Sequence, residues 1–492
     1  MFRRIVALTI VAVAAATAIA FRTDLGQGRA ATNSLDARSE PVSVSAFHKI
    51  KVDPISGPDV LLISVDTLRS DHMSVYRYHR NTTPNLEAFS AQSRVFDRAY
   101  ATATLTPPSV MSMLTGLYPY RHRVRLFFQR IPAECITIAD HLRRAGYQTA
   151  AVVAHLCLTD SASGLGARFE YFDDELDAPT AHRPDLLERR ASRTTDAAIA
   201  WLKDHRAPDR PFFLWIHYID PHGPYTPPDD APRDFVHDRP QPIDPQRVHK
   251  STLEPGLTDG LEYVDRYDEE IAYADREIGR LLDFYTALGL ADDSLIVFTA
   301  DHGERLMDGD ENLLLFAHGF DPNEIVIRIP LMIRCKSIAP GRESQPVSIA
   351  DITPTVLDVV GLAVPDGLDG RSLTGNISAR PPYAESGDIG RSGGLQRAFV
   401  YDRRKVVVRH GQSNIPRESW AFDVLADPFE RHRLAVDEAE PAYQVLAEII
   451  RAEPDPGGTP VDYAKGEKPD TPLSDELDAG AIRALRALGY VQ

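Results

Sequence analysis

Three apolar runs in this sequence stop at ionisable residues. Asp59-Val-Leu-Leu-Ile-Ser-Val65 ends at Asp66, and Pro211-Phe-Phe-Leu-Trp-Ile216 ends at His217, with Asp220 and His222 just beyond. Ser294-Leu-Ile-Val-Phe-Thr299 runs into Ala300-Asp301-His302. One polar residue after one strand is usually a turn former or a helix cap. Three such ends point to a shared site, because open α/β sheets bind ligands at the carboxyl ends of their strands. Adjacent Asp301 and His302 can reach one cation where the chain bends. A mixed oxygen and nitrogen set suits zinc or manganese better than calcium or magnesium, which prefer oxygen alone.

Thr106-Pro107-Pro108-Ser109 supplies a hydroxyl at the start of a helical pattern. Two readings stand side by side. Thr106 is a plain N-cap, or it faces an anion pocket made by the unpaired N–H groups of the first turn. An unassisted hydroxyl is a poor nucleophile. Held by a divalent cation its pKa falls, as that of water does, and it can attack phosphorus or sulfur.

The elements that must position these groups are legible as buried β-branched and apolar strands alternating with amphipathic helices. That pattern predicts an α/β layered sheet. Helices are expected over Thr83–Arg94, Pro108–Leu117, Ile136–Ala145, Asp185–His205, Tyr267–Leu288 and Thr353–Val360. Further strands are expected at Thr149–Val153, Ile329–Ile333 and Val347–Ile349. Residues 223–265 are rich in Pro and Asp and have no period; they read either as a wall of a substrate cleft or as a surface loop. After residue 380 short strands at Arg397–Tyr401, Lys405–Val408 and Trp420–Val424 suggest a small antiparallel subdomain.

Composition narrows the partners. The chain has 492 residues and a formal charge of −17. A nucleic-acid binder usually carries a basic surplus, so none is expected as partner. A site for an anionic ester must then create its own local positive field. Three widely spaced cysteines and no CxxC exclude thiolate zinc sites and a disulfide framework, leaving buried thiols or at most one disulfide. Met1-Phe2-Arg3-Arg4 followed by 17 uncharged residues, Ile5 to Phe21, reads as a secretory signal peptide or an uncleaved N-terminal anchor. Either places the body in the periplasm or outside the cell, with membrane contact only if the segment stays attached. The expected organisation is signal or anchor 1–22, linker 23–57, catalytic region 58–378, C-terminal subdomain 379–450, linker 451–475 and a terminal helix 476–492.

Several stretches together resemble the sulfatases of the alkaline phosphatase superfamily, over roughly residues 58 to 435. They include VLLISVDTLRSDH from Val60, TPPSVMSMLTGLYP from Thr106, FFLWIHYIDPHGPY from Phe212, VFTADHGE from Val297, AHGF from Ala317 and FDVLADPFERHRL from Phe422. The resemblance implies an alkaline-phosphatase-like layered mixed sheet with helices on both faces and a small C-terminal α+β subdomain. It implies that Asp66 and Asp301 hold a metal. It places His302 where calcium-dependent sulfatases have Asn and the zinc or manganese phosphoryl-handling relatives have His. His222 matches the histidine that contacts the ester and protonates the leaving group. His318 falls where sulfatases often have a Lys on the sulfate, implying contact with the ester anion or a metal. His155 lies near another family histidine, but Val153 replaces the Lys expected before it, and Thr67 replaces a second Asp.

The nucleophile departs from the family pattern. Sulfatases mature a Cys or Ser in C/S-x-P-x-R to formylglycine; here Thr106 and Val110 stand at those places, so no formylglycine is expected. A sulfated Thr is a stable alkyl sulfate, whereas a phosphorylated Thr can be hydrolysed. The implied activity is a metal-dependent hydrolase of phosphate or sulfate esters with Thr106 as nucleophile and metal ligand, beside Asp66, Asp301 and His302. The ester would be a small molecule, a glycan or a lipid. The alternatives are a phospho-group transferase of the cell envelope and a catalytically degenerate protein that binds anionic glycans. A second cation on Asp220, His222 and His318 is a further variant.

Overall fold

Every residue of Val60–Val65, Phe212–Tyr218 and Leu295–Ala300 is buried, so both faces of these strands must be covered, as in a parallel sheet wrapped by helices. The computed structural model describes residues 57–452 apart from 178–186, 230, 232, 309–312, 376, 378–381, 387–393, 411–415 and 438–439. The expected signal or anchor segment, the linker 23–57 up to residue 56, the linker 451–475 from residue 453 and the terminal helix lie outside the described residues; residues 451 and 452 end a helix instead of starting a linker.

In chain order the large sheet is built from β1 (Val60–Val65), β2 (Arg94–Tyr100), β3 (Gln148–Val153), β4 (Tyr171–Asp173), β5 (Phe212–Tyr218), β6 (Leu295–Ala300), β7 (Arg328–Arg334), β8 (Gly341–Glu343) and β9 (Val347–Ser348). Its spatial order is β4-β3-β5-β1-β6-β7-β2-β8, with β9 also paired to β2. Strands β4, β3, β5, β1 and β6 are mutually parallel, and β7 runs against both β6 and β2. Register does the positioning. Val153 pairs with His217, His217 with Ser64, and Ser64 with Thr299. Four adjacent strands therefore deliver their last residues to one edge.

The principal helices are α1 (Pro84–Ser90), α2 (Thr106–Thr115), α3 (Ile138–Arg144), α4 (Ala191–Asp204), α5 (Gly260–Ala287), α6 (Ile352–Val359) and α7 (Pro441–Ala452). Two starts differ from the sequence expectation by more than two residues. Helix α5 begins seven residues before Tyr267, because the Asp259 side chain accepts the Leu261 N–H and caps it there. Helix α4 begins at Ala191, not Asp185. The described residues 187–190 are not helical, with Glu188 bridged to His155 and Arg189 N–H bonded to Ala154 O.

A second sheet, β10 (Tyr383–Glu385), β11 (Gln396–Tyr401), β12 (Arg404–His410) and β13 (Pro416–Asp423), is antiparallel throughout. Helix α7 covers it through Ala442 and Leu446, which share a core with Tyr383, Phe399 and Val406. Cys135, Cys157 and Cys335 are all free thiols. The described residues of 223–259 are irregular apart from a single 3-10 turn at Pro245–Arg247. They pack over the loop that follows β6, with Val248 bridged to Leu315 and the Thr252 hydroxyl donating to Phe316 O.

Candidate active site

At the shared strand edge Asp66, Asp301 and His302 are fully buried, and each offers one ligand atom within 4.8 Å of the others. Asp66 follows β1 directly. Asp301 follows β6 and is fixed on three sides. Its Oδ1 accepts the N–H groups of Thr67 (3.2 Å) and His302 (2.7 Å), and its carbonyl accepts the Ser109 hydroxyl of α2 (2.6 Å). The Thr67 bond needs a turn with φ +52 at a β-branched residue, an unfavourable conformation held by Tyr267, whose hydroxyl donates to Thr67 O at 2.7 Å. Gly303 admits no side chain, since a Cβ there would lie 2.3 Å from Ile325 O.

The donor set fits a cation. Among the described residues Asp66 Oδ1 and Asp301 Oδ2 are buried without any hydrogen-bond partner, a costly state unless a ligand completes them. His302 Nδ1 donates to Gly303 O at 2.9 Å, so Nε2 faces the carboxylates, the usual orientation of a ligating histidine. Against the opposing effect of burial, Asp301 and Asp66 raise its pKa, and the neutral ring would present its lone pair there to a cation. Burial lifts the Asp66 carboxyl above its ordinary range. Burial and then the facing Asp66 push Asp301 up to about 6. Two anions confined in a dry site repel each other, and a divalent cation relieves both the burial and the repulsion.

Thr106 is the first residue of α2; the N-cap is Leu105, and no side chain caps this helix. The N-cap reading of Thr106 is therefore corrected. Its Oγ lies 3.2 Å from His302 Nε2 and 3.4 Å from Asp66 Oδ2. The expected pocket of first-turn N–H groups is also corrected. Pro107 and Pro108 have no N–H to offer, and Ser109 N–H is already bonded to Leu105 O.

A wall of imidazoles closes the site. The rings of His302 and His318 are 4.6 Å apart, His318 and His222 5.2 Å, and His222 and His155 5.4 Å. His222 Nδ1 donates to Gly223 O at 2.8 Å, so its Nε2 is the reactive nitrogen. His318 Nδ1 donates to Glu304 Oε1 at 3.2 Å, with Glu304 almost wholly buried. Burial holds His155, His222 and His318 below the ordinary imidazole range and His217 at about 4.

The sequence-derived residues Asp66, Thr106, His222, Asp301, His302 and His318 thus meet in one place. Two further histidines join them. His217 Nε2 lies 3.5 Å and His155 Nε2 3.8 Å from Asp66 Oδ2. The replacement of a family Lys by Val153 argues against His155, yet its place just beyond β3, beside β5, is the signal that locates it here. Glu304 stands in the sequence only as part of a motif; its partner His318 lies 14 positions on, across the intervening loop. Asp220 turns elsewhere. Its carboxylate binds Arg190 Nη1 (2.7 Å) and the Ala191 N–H (2.7 Å) at the start of α4, so it offers no second cation site. Val110, where the family pattern has Arg, is buried in the core.

Comparison with known proteins bears on the family and the fold. The choline-sulfatase of Rhizobium meliloti is 28% identical over 452 residues, spanning 80% of this chain and 85% of its own. A structure solved with D-glucosamine-2-N,6-O-disulfate superposes with a TM-score of 0.64 at 19% identity, over 82% of this chain and 99% of that one. The phosphonate monoester hydrolase of Agrobacterium radiobacter superposes with a TM-score of 0.59 at 21% identity, over 80% and 95% of the two chains. These two likenesses show the fold, a large mostly parallel sheet flanked by helices with a smaller antiparallel sheet at the C-terminal end. The family model described as Sulfatase matches residues 58–362, from the start of β1 to just past α6, and the chain accordingly belongs to the sulfatase family.

Proposed function

We propose that this protein is an exported, metal-dependent ester hydrolase in which the Thr106 hydroxyl is the nucleophile, with phosphate esters preferred over sulfate esters. The observation that carries the reading is the place of Thr106 Oγ, 3.2 Å from His302 Nε2 and 3.4 Å from Asp66 Oδ2. A hydroxyl that capped its helix or packed in the core would not face two ligands of a candidate metal centre.

Asp66, Asp301 and His302, with the Thr106 oxygen, would hold one divalent cation. Zinc or manganese fits ahead of calcium or magnesium because one donor is an imidazole nitrogen. When bound, such a cation lowers the pKa of a coordinated hydroxyl and offsets the charge of the ester. The chain's own groups do the rest. Thr106 Oγ, its proton already released to solvent, would form the bond to phosphorus as the bond to the leaving alcohol breaks. His222, in its protonated form, gives the Nε2 proton to that alcohol. Its neutral ring then accepts a proton from water as water attacks phospho-Thr106, releasing phosphate and restoring both the protonated His222 and the deprotonated Thr106 oxygen. His318, oriented by Glu304, presents Nε2 to the ester. Phosphate is preferred because a sulfated Thr has no route to elimination, unlike the hydrate of formylglycine.

Purified, metal-loaded protein assayed in parallel on an aryl sulfate, a phosphate monoester and a phosphate diester tests the reading. Multiple turnovers on a phosphate ester, lost in Thr106→Ala, support it. A strict need for an added alcohol acceptor would make the protein a transferase, and no turnover with an empty metal site would make it a binder. Export is tested by locating the protein in cell fractions and sequencing its N-terminus.

A further inference from the structure

A second pocket lies behind the wall that carries Glu304 and His318. Arg305 and Ala317 form an antiparallel bridge, each N–H bonded to the other's carbonyl at 3.0 Å. Side chains alternate along extended backbone. Glu304 turns to His318 and the metal ligands, whereas Arg305 lines a separate cavity of about 360 Å³. The opposite wall comes from the antiparallel sheet and the segment after it, including Arg409, Trp420, Phe422 and Arg433. None of Asp66, Thr106, His222, Asp301, His302 or His318 lines it.

The charges of this cavity are unusual for a chain with a formal charge of −17. Arg305 is 2% exposed; its Nη2 bonds both oxygens of Asp321 at 2.7 and 2.9 Å. Its Nε has no hydrogen-bond partner among the described residues, and neither has Nε of Arg409. A buried cationic donor without an acceptor marks a place where an acceptor is wanted. Arg409 Nη1 pairs with Glu418, which is not part of the lining. The Arg433 guanidinium stands 4.5 Å over the Trp420 ring. The two lining carboxylates are already matched, Asp321 by Arg305 and Glu430 by the buried Lys405. Arg409 is matched by Glu418, so Arg433 is the lining guanidinium with no carboxylate partner among the described residues.

We infer that this pocket binds an anionic group, a sulfate, phosphate or carboxylate, carried on a molecule of about saccharide size. Guanidinium forks match these planar or tetrahedral oxyanions, and the cavity falls at the lower end of the usual ligand-pocket range of roughly 300–1,000 Å³. Phe422 and Phe320 supply apolar surface for the C–H groups of a sugar ring, while the Trp420 ring carries the Arg433 and Arg409 guanidiniums at 4.5 and 5.2 Å. The pocket shares a loop with the metal centre. The antiparallel sheet holds that loop through Gln396 Nε2 on Phe320 O (3.5 Å) and Lys405 Nζ on Pro322 O (2.6 Å). This inference does not depend on the Thr106 chemistry.

Two measurements test it. Crystals of the full chain soaked in selenate, a sulfate mimic with an anomalous signal, should show a peak among Arg305, Arg409 and Arg433. Calorimetric titration with glucose 6-sulfate and with sodium sulfate should give a site that Arg433→Glu and Arg409→Glu each weaken about tenfold or more. Thermal melting confirms that both variants are folded. Tighter binding of glucose 6-sulfate than of sulfate assigns the pocket to a substituent of a glycan; equal affinity assigns it to a free inorganic anion. Selenate density only at the metal centre or nowhere, or unchanged affinity in both folded variants, overturns the inference. Neither readout uses turnover, so its failure is separate from failure of the hydrolase reading.

Discussion

Thr106 Oγ and His302 Nε2 meet at 3.2 Å across 196 positions of chain, joining the first turn of α2 to the segment that follows β6. The contact is held by a second one, from the Ser109 hydroxyl to the Asp301 carbonyl at 2.6 Å. Helix and strand end are thus pinned so that the hydroxyl and the candidate ligands share one space. Thr106→Ala should lower kcat by on the order of 10⁴-fold or more, as removal of a nucleophile does. Asp66, Asp301 and His302 remain in place, so metal content measured by mass spectrometry should stay near wild type. Thr106→Ser should keep measurable turnover. Unchanged kcat in the alanine variant would remove Thr106 from the chemistry.

An aryl sulfate should distinguish this site from one built on formylglycine. Attack by Thr106 on sulfur would release the phenol and leave an alkyl sulfate with no elimination route. The expected trace is one burst of phenol stoichiometric with enzyme, then silence. Peptide mass spectrometry should find the adduct on Thr106. Steady turnover of the sulfate with no adduct would mean a different nucleophile.

Metal removal should destabilise the protein in a pH-dependent way. Burial and Asp66 raise Asp301 to about 6 in the fold, against an ordinary value near 3.8. Between those values the folded state holds more protons than the unfolded chain. Stability from this group therefore falls as pH rises through 6. Chelation should lower Tm more at pH ~7.5 than at pH ~5, by a difference on the order of 1–2 kcal/mol in stability. Asp301→Asn should abolish metal binding yet raise the Tm of the chelated protein at the higher pH. An equal chelation effect at both values would show that the carboxylates are not in conflict.

Much of this arrangement is legible in the sequence. Buried runs such as Val60–Val65 and Leu295–Ala300 can only be strands of a covered sheet, and ionisable residues at their ends can only gather at one edge of it. What the sequence leaves open are matters of partner and direction. Whether Thr106 caps its own helix or faces a ligand depends on a histidine nearly two hundred positions away. That Asp220 turns to Arg190 while His222 turns to the site depends on where α4 begins. His155 is easily underrated because its neighbour departs from a family pattern; register with His217 through Val153 decides its place, and register is a tertiary fact. The first-turn prolines, by contrast, speak for themselves, since neither has an N–H to give.

His222 donates Nδ1–H to Gly223 O, so only Nε2 can exchange a proton with the ester. His222→Gln should slow esters of poor leaving groups by about 10²–10⁴-fold while activated aryl esters lose far less. A plot of log kcat against leaving-group pKa should steepen in the variant. Parallel plots for the variant and the wild type would exclude His222 as the acid.

His122 gives a prediction about stability away from the chemistry. It is fully buried beneath α2, where Nδ1 accepts the Val124 N–H at 3.1 Å and Nε2 lies 3.0 Å from the Ser112 hydroxyl. Both nitrogens are committed to a neutral ring, and burial lowers its pKa to about 3. The unfolded chain protonates this histidine near 6.5. Between the two values the unfolded state binds the extra proton, so stability rises with pH across that window and is lost progressively as pH falls from 6.5 towards 3. The slope contributed is about 1.4 kcal/mol per pH unit. Denaturant unfolding followed from pH ~7 to ~4 should show it, and His122→Gln should flatten the curve even though it is less stable at neutral pH. Equal slopes for the two proteins would mean that the ring takes its proton in the fold as readily as in the unfolded chain.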